Sequence, residues 1–142
     1  MIITDEAWRV HAGPVTYNDI FGGEDFDARR VQPGWDSAKF DDGQWASAVE
    51  LVRPSGQLRG LTASAPPLGE IEAIKPIAVK KISDTQDVVD LGQNASYMPR
   101  IRVTGPAGSS VRLTHAEVVH EDGTINRDTC GGNRGPAYWQ YT

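Results

Sequence analysis

The sequence predicts an all-β fold, built as an antiparallel two-sheet β-sandwich. Three observations lead to this prediction: apolar and polar residues alternate in several short segments, glycine and proline recur throughout, and helical periodicity is almost absent. The 142 residues include 15 glycines and 9 prolines, and such frequent breakers leave room mainly for short strands. A chain of this length holds one core of ordinary size, so we expect a single domain over residues 1–142.

The first regular element that the sequence indicates is one helical turn in Phe40–Ala48 (FDDGQWASA). Asp41 or Asp42 suits its N-cap, because a short acidic side chain can accept a hydrogen bond from the first free amides of a helix. Trp45 would then fold back on the sheet as a core residue. Two candidate strands follow, Val49–Arg53 and Ile71–Ile82, the second broken at Pro76.

The second half of the chain carries the clearest alternation. In Arg100–Thr104, Ile101 and Val103 alternate with two arginines, and the alternation resumes in Ser110–Val119 after a turn at 105–108. This pattern predicts a hairpin between the two segments. The remaining candidate strands are Asp87–Leu91 and Tyr138–Tyr141.

Composition excludes several classes of function. A net charge of -5 and a pI near 5.1 disfavour nucleic acid and anionic membranes as partners, because neither meets a basic surface. No apolar run approaches the ~20 residues that a membrane span needs, and the first residues lack the pattern of a signal peptide. The single cysteine, Cys130, rules out an internal disulfide and a thiolate zinc cage.

Three short motifs are weak evidence for any function. The stretch HAEVVH, His115–His120, lacks the order of a zinc-protease motif, and on a strand its two histidines would face opposite sides, so we interpret them as structural. The stretch GGNRG, Gly131–Gly135, lacks the Lys-Ser/Thr pair of a phosphate loop. The tripeptide at 94–96 fits a glycosylation sequon, which is short enough to occur by chance.

The stretch YNDIFGGEDFDAR, Tyr17–Arg29, is the richest in chemistry. Its side-chain oxygens are of the hard type that calcium prefers, although their spacing is not that of a helix-loop-helix calcium loop. Acids beside Arg29 also suit a carbohydrate site, because they bind hydroxyls directionally, while Trp35 or Tyr17 could cover the apolar face of a sugar ring. Alternatively, Arg29 pairs with a neighbouring acid and only pins the loop. The oxygen-bearing side chains are Asn18, Asp19, Glu24, Asp25 and Asp27.

Several separated blocks of this sequence, taken in order, resemble the rhamnose-binding carbohydrate-binding module of bacterial α-L-rhamnosidases. The resemblance covers nearly the whole chain. The blocks are Trp8, Gly13-Pro14, YNDIFGGEDFDAR, Gly34-Trp35, FDDGQW, DLGQN at Asp90–Asn94, GPAGSSVRLTHAEVVHEDG and PAYWQYT.

The resemblance implies a sandwich of jelly-roll type, excised from a larger secreted enzyme whose catalytic domain lies elsewhere in the same parent chain. It implies a non-catalytic module that recognises terminal L-rhamnose, or a rhamnose-containing glycan, with the help of calcium. The residues that match the metal site are Asn18, Asp19, Asn94 and the carbonyl of Pro99, with Asp41-Asp42 as a competing acidic pair. For the sugar site, the resemblance implies the acids Glu24 and Asp25, and the chemistry described above adds Arg29 and Trp35. Tyr97 departs from the family pattern, because it stands where relatives often have glycine; it would either fill the pocket mouth or stack on the sugar.

Two other hypotheses stay open. The chain could be a structural accessory domain of an α-L-rhamnosidase, docking on a neighbouring domain through an exposed apolar patch and binding no sugar itself. It could also be a hydrolase or lyase that uses Glu24 and Asp27 as acid and base, for which the two carboxyl groups must stand about 5 to 9.5 Å apart across a cleft.

Overall fold

The computed structural model of the chain describes residues 3–52, 55–57, 69–130 and 137–142. These residues form ten short strands and one 3-10 turn, Ala28–Arg30, so the predicted all-β fold class is confirmed. The strands are β1 (Arg9–Val10), β2 (Val15–Asp19), β3 (Gly23–Phe26), β4 (Ala46–Ser47), β5 (Ala78–Ser83), β6 (Gln86–Asp90), β7 (Val111–Thr114), β8 (Val118–Val119), β9 (Ile125–Asn126) and β10 (Tyr138–Tyr141).

The chain divides into two compact units. The first comprises Met1–Ala12 and Pro33–Ala73, and the second comprises Gly13–Gln32 and Ile74–Thr142. Each unit is therefore assembled from segments that are distant in sequence. The single domain over 1–142 stays a prediction.

The first unit is organised around one tryptophan. Strands β1 and β4 pair antiparallel, and beside β4 the ring of Trp45 stacks on His11 at 5.6 Å and tilts against Phe40 at 5.3 Å. The helical turn predicted for Phe40–Ala48 is reduced to one bond, in which the Trp45 amide donates to the Asp42 carbonyl at 2.8 Å. The Gly43 amide also donates to Asp41 Oδ1 at 3.0 Å, so the stretch forms a single capped turn and no helix, because Ala46–Ser47 extends to form β4.

The second unit contains a four-stranded sheet with the order β2-β3-β10-β7. Strands β2 and β3 form an antiparallel hairpin, and β10 pairs antiparallel with β7. The central pair, β3 and β10, is parallel, with Gly23 opposite Tyr138 and Phe26 opposite Tyr141. This parallel pair joins two segments from opposite ends of the sequence.

Gly23 explains why β3 and β10 can lie so close at their first residues. Its φ of +92° belongs to the left-handed region that favours glycine, and a Cβ at this position would overlap the carbonyl oxygen of Tyr138. The second glycine of the GGED motif is thus required by the pairing of the strands.

Two small hairpins complete the second unit. Strands β5 and β6 pair antiparallel, as do β8 and β9. The Lys80 ammonium group of β5 donates to the carbonyl oxygen of Asp122, at 2.8 Å, in the turn between β8 and β9. One side-chain hydrogen bond therefore ties the two hairpins together.

Some of the predicted strands are confirmed. Strand β10 has the predicted bounds, β6 lies within one residue of the predicted Asp87–Leu91, and only the part of Ile71–Ile82 after Pro76 becomes a strand, as β5. The hairpin predicted between Arg100–Thr104 and Ser110–Val119 is wrong. Residues 100–104 form no strand, because the backbone of β7 is paired with β10 instead.

Two further predictions fall partly or wholly outside the described residues. Residues 49–52 form no strand, and Arg53, the last residue of that predicted strand, lies outside the described residues. The GGNRG stretch, Gly131–Gly135, also lies outside them. Nothing in the described part of the chain is a helix that is long and apolar enough to cross a bilayer.

The described residues bury very little apolar surface. Among them, Ala137, which is 5% exposed, is the one buried hydrophobic residue. Phe21, for example, is 68% exposed and Trp35 is 61% exposed. Large apolar side chains that a sandwich would normally enclose therefore face outward.

The role of Gly23 at the contact of β3 and β10 can be tested by substitution. We expect Gly23→Ala to lower the free energy of unfolding, measured in urea, by more than Gly108→Ala does. Both glycines have a positive φ, but no atom lies within 4 Å of a Cβ added at Gly108. The control variant, Gly108→Ala, should therefore lose only about 1 kcal/mol, which is what a left-handed backbone costs a residue with a Cβ. Gly23→Ala should lose this amount and also the close contact between β3 and β10. Equal losses would show that the close approach of these strands contributes nothing.

Candidate functional site

The turn between β2 and β3 is held by the side chain of Asp19. Its Oδ1 atom accepts hydrogen bonds from the backbone amides of Phe21, at 2.8 Å, and Gly22, at 2.6 Å. Gly22 is buried, and a Cβ there would overlap the Tyr17 hydroxyl. Asp19 and Gly22 thus fix the turn in one conformation.

Asn18 and Glu24 face each other across the β2–β3 hairpin. They are register partners, and the Asn18 amide Nδ2 donates to Glu24 Oε2 at 3.0 Å. This bond leaves the amide oxygen of Asn18 and the second carboxylate oxygen of Glu24 without a hydrogen bond among the described residues. Both oxygens are available to a ligand.

A pocket of about 200 Å³ opens beside this turn. The hairpin supplies its polar wall through Asn18, Asp19 and Glu24. Strand β10 supplies Trp139, which is 39% exposed, and the segment after β7 supplies His115, whose ring lies 5.6 Å from the indole. The other lining residues are Ile20, Phe21, Gly23 and Ala137.

The pocket combines two kinds of chemistry. An ionised carboxylate only accepts hydrogen bonds, so Asp19 and Glu24 select a ligand rich in hydroxyl donors or a cation. An exposed indole offers a flat apolar surface within the same pocket. A polyhydroxylated ring with one apolar face meets both requirements.

The pocket gathers three of the nine predicted site residues, Asn18, Asp19 and Glu24. Asp25 follows Glu24 on β3, and successive side chains of a strand point to opposite faces. Its Oδ1 atom is enclosed and has no hydrogen-bond partner in the described part of the chain. Asp25 is thus on the far side of the sheet from Glu24.

The other predicted residues do not line this pocket. Trp35 is 61% exposed and belongs to the first unit, whereas the pocket belongs wholly to the second. Tyr97 is half-buried, with its hydroxyl enclosed and unpaired within the described residues. Asn94 and Pro99 are exposed in the irregular segment after β6. The assignment of Trp35 and Tyr97 to the sugar site, and of Asn94 and Pro99 to the metal site, stays a prediction.

Arg29 has a structural partner. Its guanidinium group donates to both carboxylate oxygens of Asp27 at 2.8 Å, while its backbone amide donates to Asp27 Oδ1, so that Asp27 caps the 3-10 turn. The hydrogen bond from the Arg29 side chain is the main cause that lowers the pKa of Asp27 below its ordinary 3.8. This arrangement favours the structural interpretation of Arg29.

The ion pair also argues against the acid and base pair of Glu24 and Asp27. A general base, the role expected of Asp27, also works best with a pKa close to the working pH, and the pKa of Asp27 is displaced away from that range. The carboxylate of Asp27 is also engaged on both oxygens by one arginine.

The fit of calcium to the pocket can be judged from the donors. Within residues 3–52, 55–57, 69–130 and 137–142, no three His, Cys, Asp or Glu side chains converge as a metal cluster. The pocket does hold two carboxylates and one amide, which are hard oxygen donors of the kind that calcium prefers. Since calcium takes 6–8 oxygens, three side chains fit the ion only if ligand hydroxyls, backbone carbonyls or water complete the shell.

His115 and Trp139 are the pocket residues that sequence reasoning missed. The sequence predicts a structural role for His115 and a strand at Tyr138–Tyr141 whose partner it does not specify. The position of Trp139 beside Glu24 depends on the parallel pairing of β10 with β3. No signal in a single sequence specifies that partner.

Comparison with known proteins agrees with this fold. A family model described as the alpha-L-rhamnosidase N-terminal domain matches residues 1–70, and one described as the bacterial alpha-L-rhamnosidase concanavalin-like domain matches residues 80–141. The chain belongs to the N-terminal region of the bacterial alpha-L-rhamnosidases. The predicted family is thereby confirmed.

The relatives of this rhamnosidase region are much longer than the chain. An alpha-L-rhamnosidase from Streptomyces avermitilis is 36% identical over 127 aligned positions, and the match covers 83% of this chain and 11% of that protein. One from Formosa agariphila is 29% identical over 133 residues, which are 93% of the chain and 13% of that protein. The chain thus spans about an eighth of these relatives.

Solved structures of alpha-L-rhamnosidases share the fold. The enzyme from Dictyoglumus thermophilum matches with a TM-score of 0.83 and 32% identity over 99% of this chain and 16% of its own. The enzyme from Aspergillus terreus matches with a TM-score of 0.84 and 30% identity, again over 99% and 16%. The Streptomyces avermitilis enzyme in complex with L-rhamnose matches with a TM-score of 0.73 and 32% identity over 97% and 13%.

Prediction for the Asp27 carboxyl group. We expect its pKa, measured by NMR titration, to lie below 3.8 and to rise in Arg29→Ala, because the main stabilising hydrogen bond is removed. A pKa lowered in the folded state adds stability that is present above the unfolded value of 3.8 and is lost as the pH falls through the folded value. The matched control is Arg30→Ala, which should change the pKa less. Equal responses to the two substitutions would contradict the ion pair.

Proposed function

We propose that this rhamnosidase region is a non-catalytic module that binds terminal L-rhamnose in a calcium-dependent manner. The observation that carries the proposal is the pocket in which Asp19 and Glu24 lie with the exposed indole of Trp139. A relative from Streptomyces avermitilis, 32% identical, was solved in complex with L-rhamnose. An attached glycoside hydrolase in a longer, secreted polypeptide would be brought to its substrate by such a module.

The carboxylates would recognise the hydroxyl groups of the sugar. Asp19 uses one oxygen to hold the turn, and within the described residues its other oxygen can accept from a hydroxyl without loss of the local structure. Glu24 is oriented by the Asn18 amide, which leaves one oxygen directed to a ligand. Hydrogen bonds to ionised acceptors are about twice as strong as neutral ones, and a fixed acceptor loses little entropy on binding.

Trp139 would cover the apolar face of the sugar. L-rhamnose carries a methyl group, so one end of its ring is more apolar than that of an ordinary hexose. Trp139 lies in the pocket with the two acids, whereas the predicted platform, Trp35, belongs to the other unit. We therefore assign the stacking role to Trp139 in this proposal.

The size of the pocket supports recognition of a single terminal residue. Its volume of about 200 Å³ is below the roughly 300–1,000 Å³ of sites that enclose drug-sized ligands. One pyranose ring can enter it, while an internal stretch of a polysaccharide would have to leave most of its length outside.

Asn18, Asp19 and Glu24 would hold the calcium ion. A bound cation would neutralise the two carboxylates and give the sugar hydroxyls a strong, oriented partner. In its absence, the two acids can only accept hydrogen bonds. The protein contribution would thus be three hard oxygen donors that line one pocket, with the rest of the coordination shell left to sugar, backbone or water.

Prediction for ligand and metal removal. We expect calorimetric titration of L-rhamnose into the chain to give heat of binding with calcium and none after chelation, because the diol then lacks its cationic partner. D-galactose at the same concentration is the control for unspecific binding. The absence of heat under both conditions would refute sugar recognition, and undiminished heat after chelation would refute only the role of calcium.

Prediction for the pocket variants. We expect Asp19→Asn, Glu24→Gln and Trp139→Ala each to weaken L-rhamnose binding at least ~10-fold, equivalent to about 1.4 kcal/mol. Asn in place of Asp19 keeps an oxygen for the turn, so unfolding in urea should change little. Asp84→Asn and Trp35→Ala are matched controls, because neither residue lines the pocket. If Trp35→Ala weakens binding and Trp139→Ala does not, the stacking residue is Trp35.

A further inference from the structure

His115 lies on the side of the pocket opposite the acids. In the sheet order β2-β3-β10-β7, Trp139 lies in the middle, the hairpin with Asp19 and Glu24 on one side, and β7 on the other. Leu113 of β7 is the register partner of Trp139, and His115, two residues further along, lies on the same side of the sheet because side chains alternate. Strands β3 and β7 are two strand spacings apart, roughly 10 Å. A sugar over Trp139 would therefore lie between the acids and His115.

The imidazole of His115 is available to a ligand. The residue is exposed, and neither ring nitrogen has a hydrogen bond within the described residues. Its ring contacts the indole of Trp139, with the planes 48° apart. Trp139 itself stays 39% exposed, so this contact does not close the pocket. An imidazole carries at least one N–H donor whether it is neutral or protonated.

Two other described side chains that line the pocket carry N–H groups, and neither faces the acids. The Asn18 amide belongs to the same wall as the acids and donates to Glu24. The indole N–H of Trp139 lies in the plane of its ring, so it does not point at a sugar stacked on the ring face. Within the described lining, His115 is thus the side-chain donor on the wall opposite the acids.

A terminal L-rhamnose unit presents two kinds of oxygen. Its hydroxyl groups can donate and accept, whereas the ring oxygen and the glycosidic oxygen can only accept. Both of these ether oxygens are bonded to the anomeric carbon, so they lie together at one end of the sugar. Because carboxylates also only accept, the acids match the hydroxyl groups, and the ether oxygens need an N–H donor.

We propose that His115 donates to an ether oxygen of the sugar, either the ring oxygen or the glycosidic oxygen, and thereby determines how the sugar is oriented in the pocket. This inference rests on the proposed function, because it assigns a role within the same pocket. With hydroxyl groups bound by Asp19 and Glu24, the anomeric carbon points to the segment after β7. The rest of the glycan then leaves the pocket beside His115.

Variants at two histidines separate hydrogen bonding from packing. His115→Phe keeps a flat ring against Trp139 and removes the donor, whereas His115→Asn and His115→Gln keep an N–H near the positions of Nδ1 and Nε2. His120→Phe is the matched control, because His120 is also exposed and does not line the pocket.

The first measurement is the Kd for methyl α-L-rhamnopyranoside, determined by calorimetry with calcium present. We expect it to rise at least ~5-fold in His115→Phe, as the loss of one hydrogen bond predicts. One of the two amide variants should restore the Kd to within ~2-fold of the value for the unmodified chain. His120→Phe should leave it unchanged.

Two modified ligands identify the oxygen. One is the anhydro-alditol of rhamnose, which lacks the glycosidic oxygen, and the other is the methyl glycoside with sulfur, a weak acceptor, in place of the ring oxygen. We expect the unmodified chain to bind one of them at least ~5-fold more weakly than the parent glycoside. His115→Phe should bind that ligand and the parent within ~2-fold of each other, because the residue and the oxygen are then coupled as in a double-mutant cycle.

NMR of the labelled imidazole nitrogens provides a measurement that needs no variant fold. We expect the N–H proton of His115 to exchange more slowly with water once methyl α-L-rhamnopyranoside is bound, because it is then held in a hydrogen bond. The N–H proton of His120 should exchange at the same rate with and without the glycoside.

The outcomes separate this inference from the proposed function. If the unmodified chain binds the glycoside and His115→Phe binds it equally well, the role of His115 is refuted and the proposed function stands. A loss in His115→Phe that neither amide variant restores would also refute the role, since it indicates packing, as would equal discrimination between the ligands by both chains. Absence of binding by the unmodified chain would overturn both proposals.

Discussion

Strands β3 and β10 lie side by side in parallel, with Gly23 against the backbone of Tyr138, and both surfaces of interest depend on this contact. It brings Trp139 to the acids of the β2–β3 hairpin and so creates the pocket. It also aligns Phe26 with Tyr141, whose stacked rings line a groove beside the pocket. Glu24 and Trp139 line both the pocket and the groove, so the two overlap on one side of the sheet.

The class of fold and individual strands could be predicted from local patterns. Alternation within Tyr138–Tyr141 and near Asp87–Leu91 was sufficient, because a half-buried strand needs period two whatever its partner is. Partners could not be predicted in this way. Apolar and polar residues alternate in Arg100–Thr104 as they do in a strand, yet β7 pairs with β10. The choice of partner among distant segments depends on packing, which the local sequence does not encode.

The part of the candidate site whose residues lie close together in the sequence was predictable. Asn18, Asp19 and Glu24 meet because a tight turn with two glycines joins them, and the composition of that turn is visible in the sequence. The other side of the pocket was not predictable, because Trp139 and His115 reach it through strand order. Arg29 was ambiguous, since the same guanidinium can bind a sugar or a carboxylate two residues away; in the structure it binds Asp27.

The parallel pair has a consequence for how the chain is made. The β2–β3 hairpin leaves the ribosome long before Tyr138–Tyr141, and at about 5–20 residues per second the edge of β3 waits roughly 5 to 20 seconds for its partner. An unpaired edge is a template for joining other nascent chains. Glu24 and Asp25 lie side by side on β3, and like charges opposite each other disfavour strand pairing, so the acidic pair works against the joining of two β3 strands from separate chains.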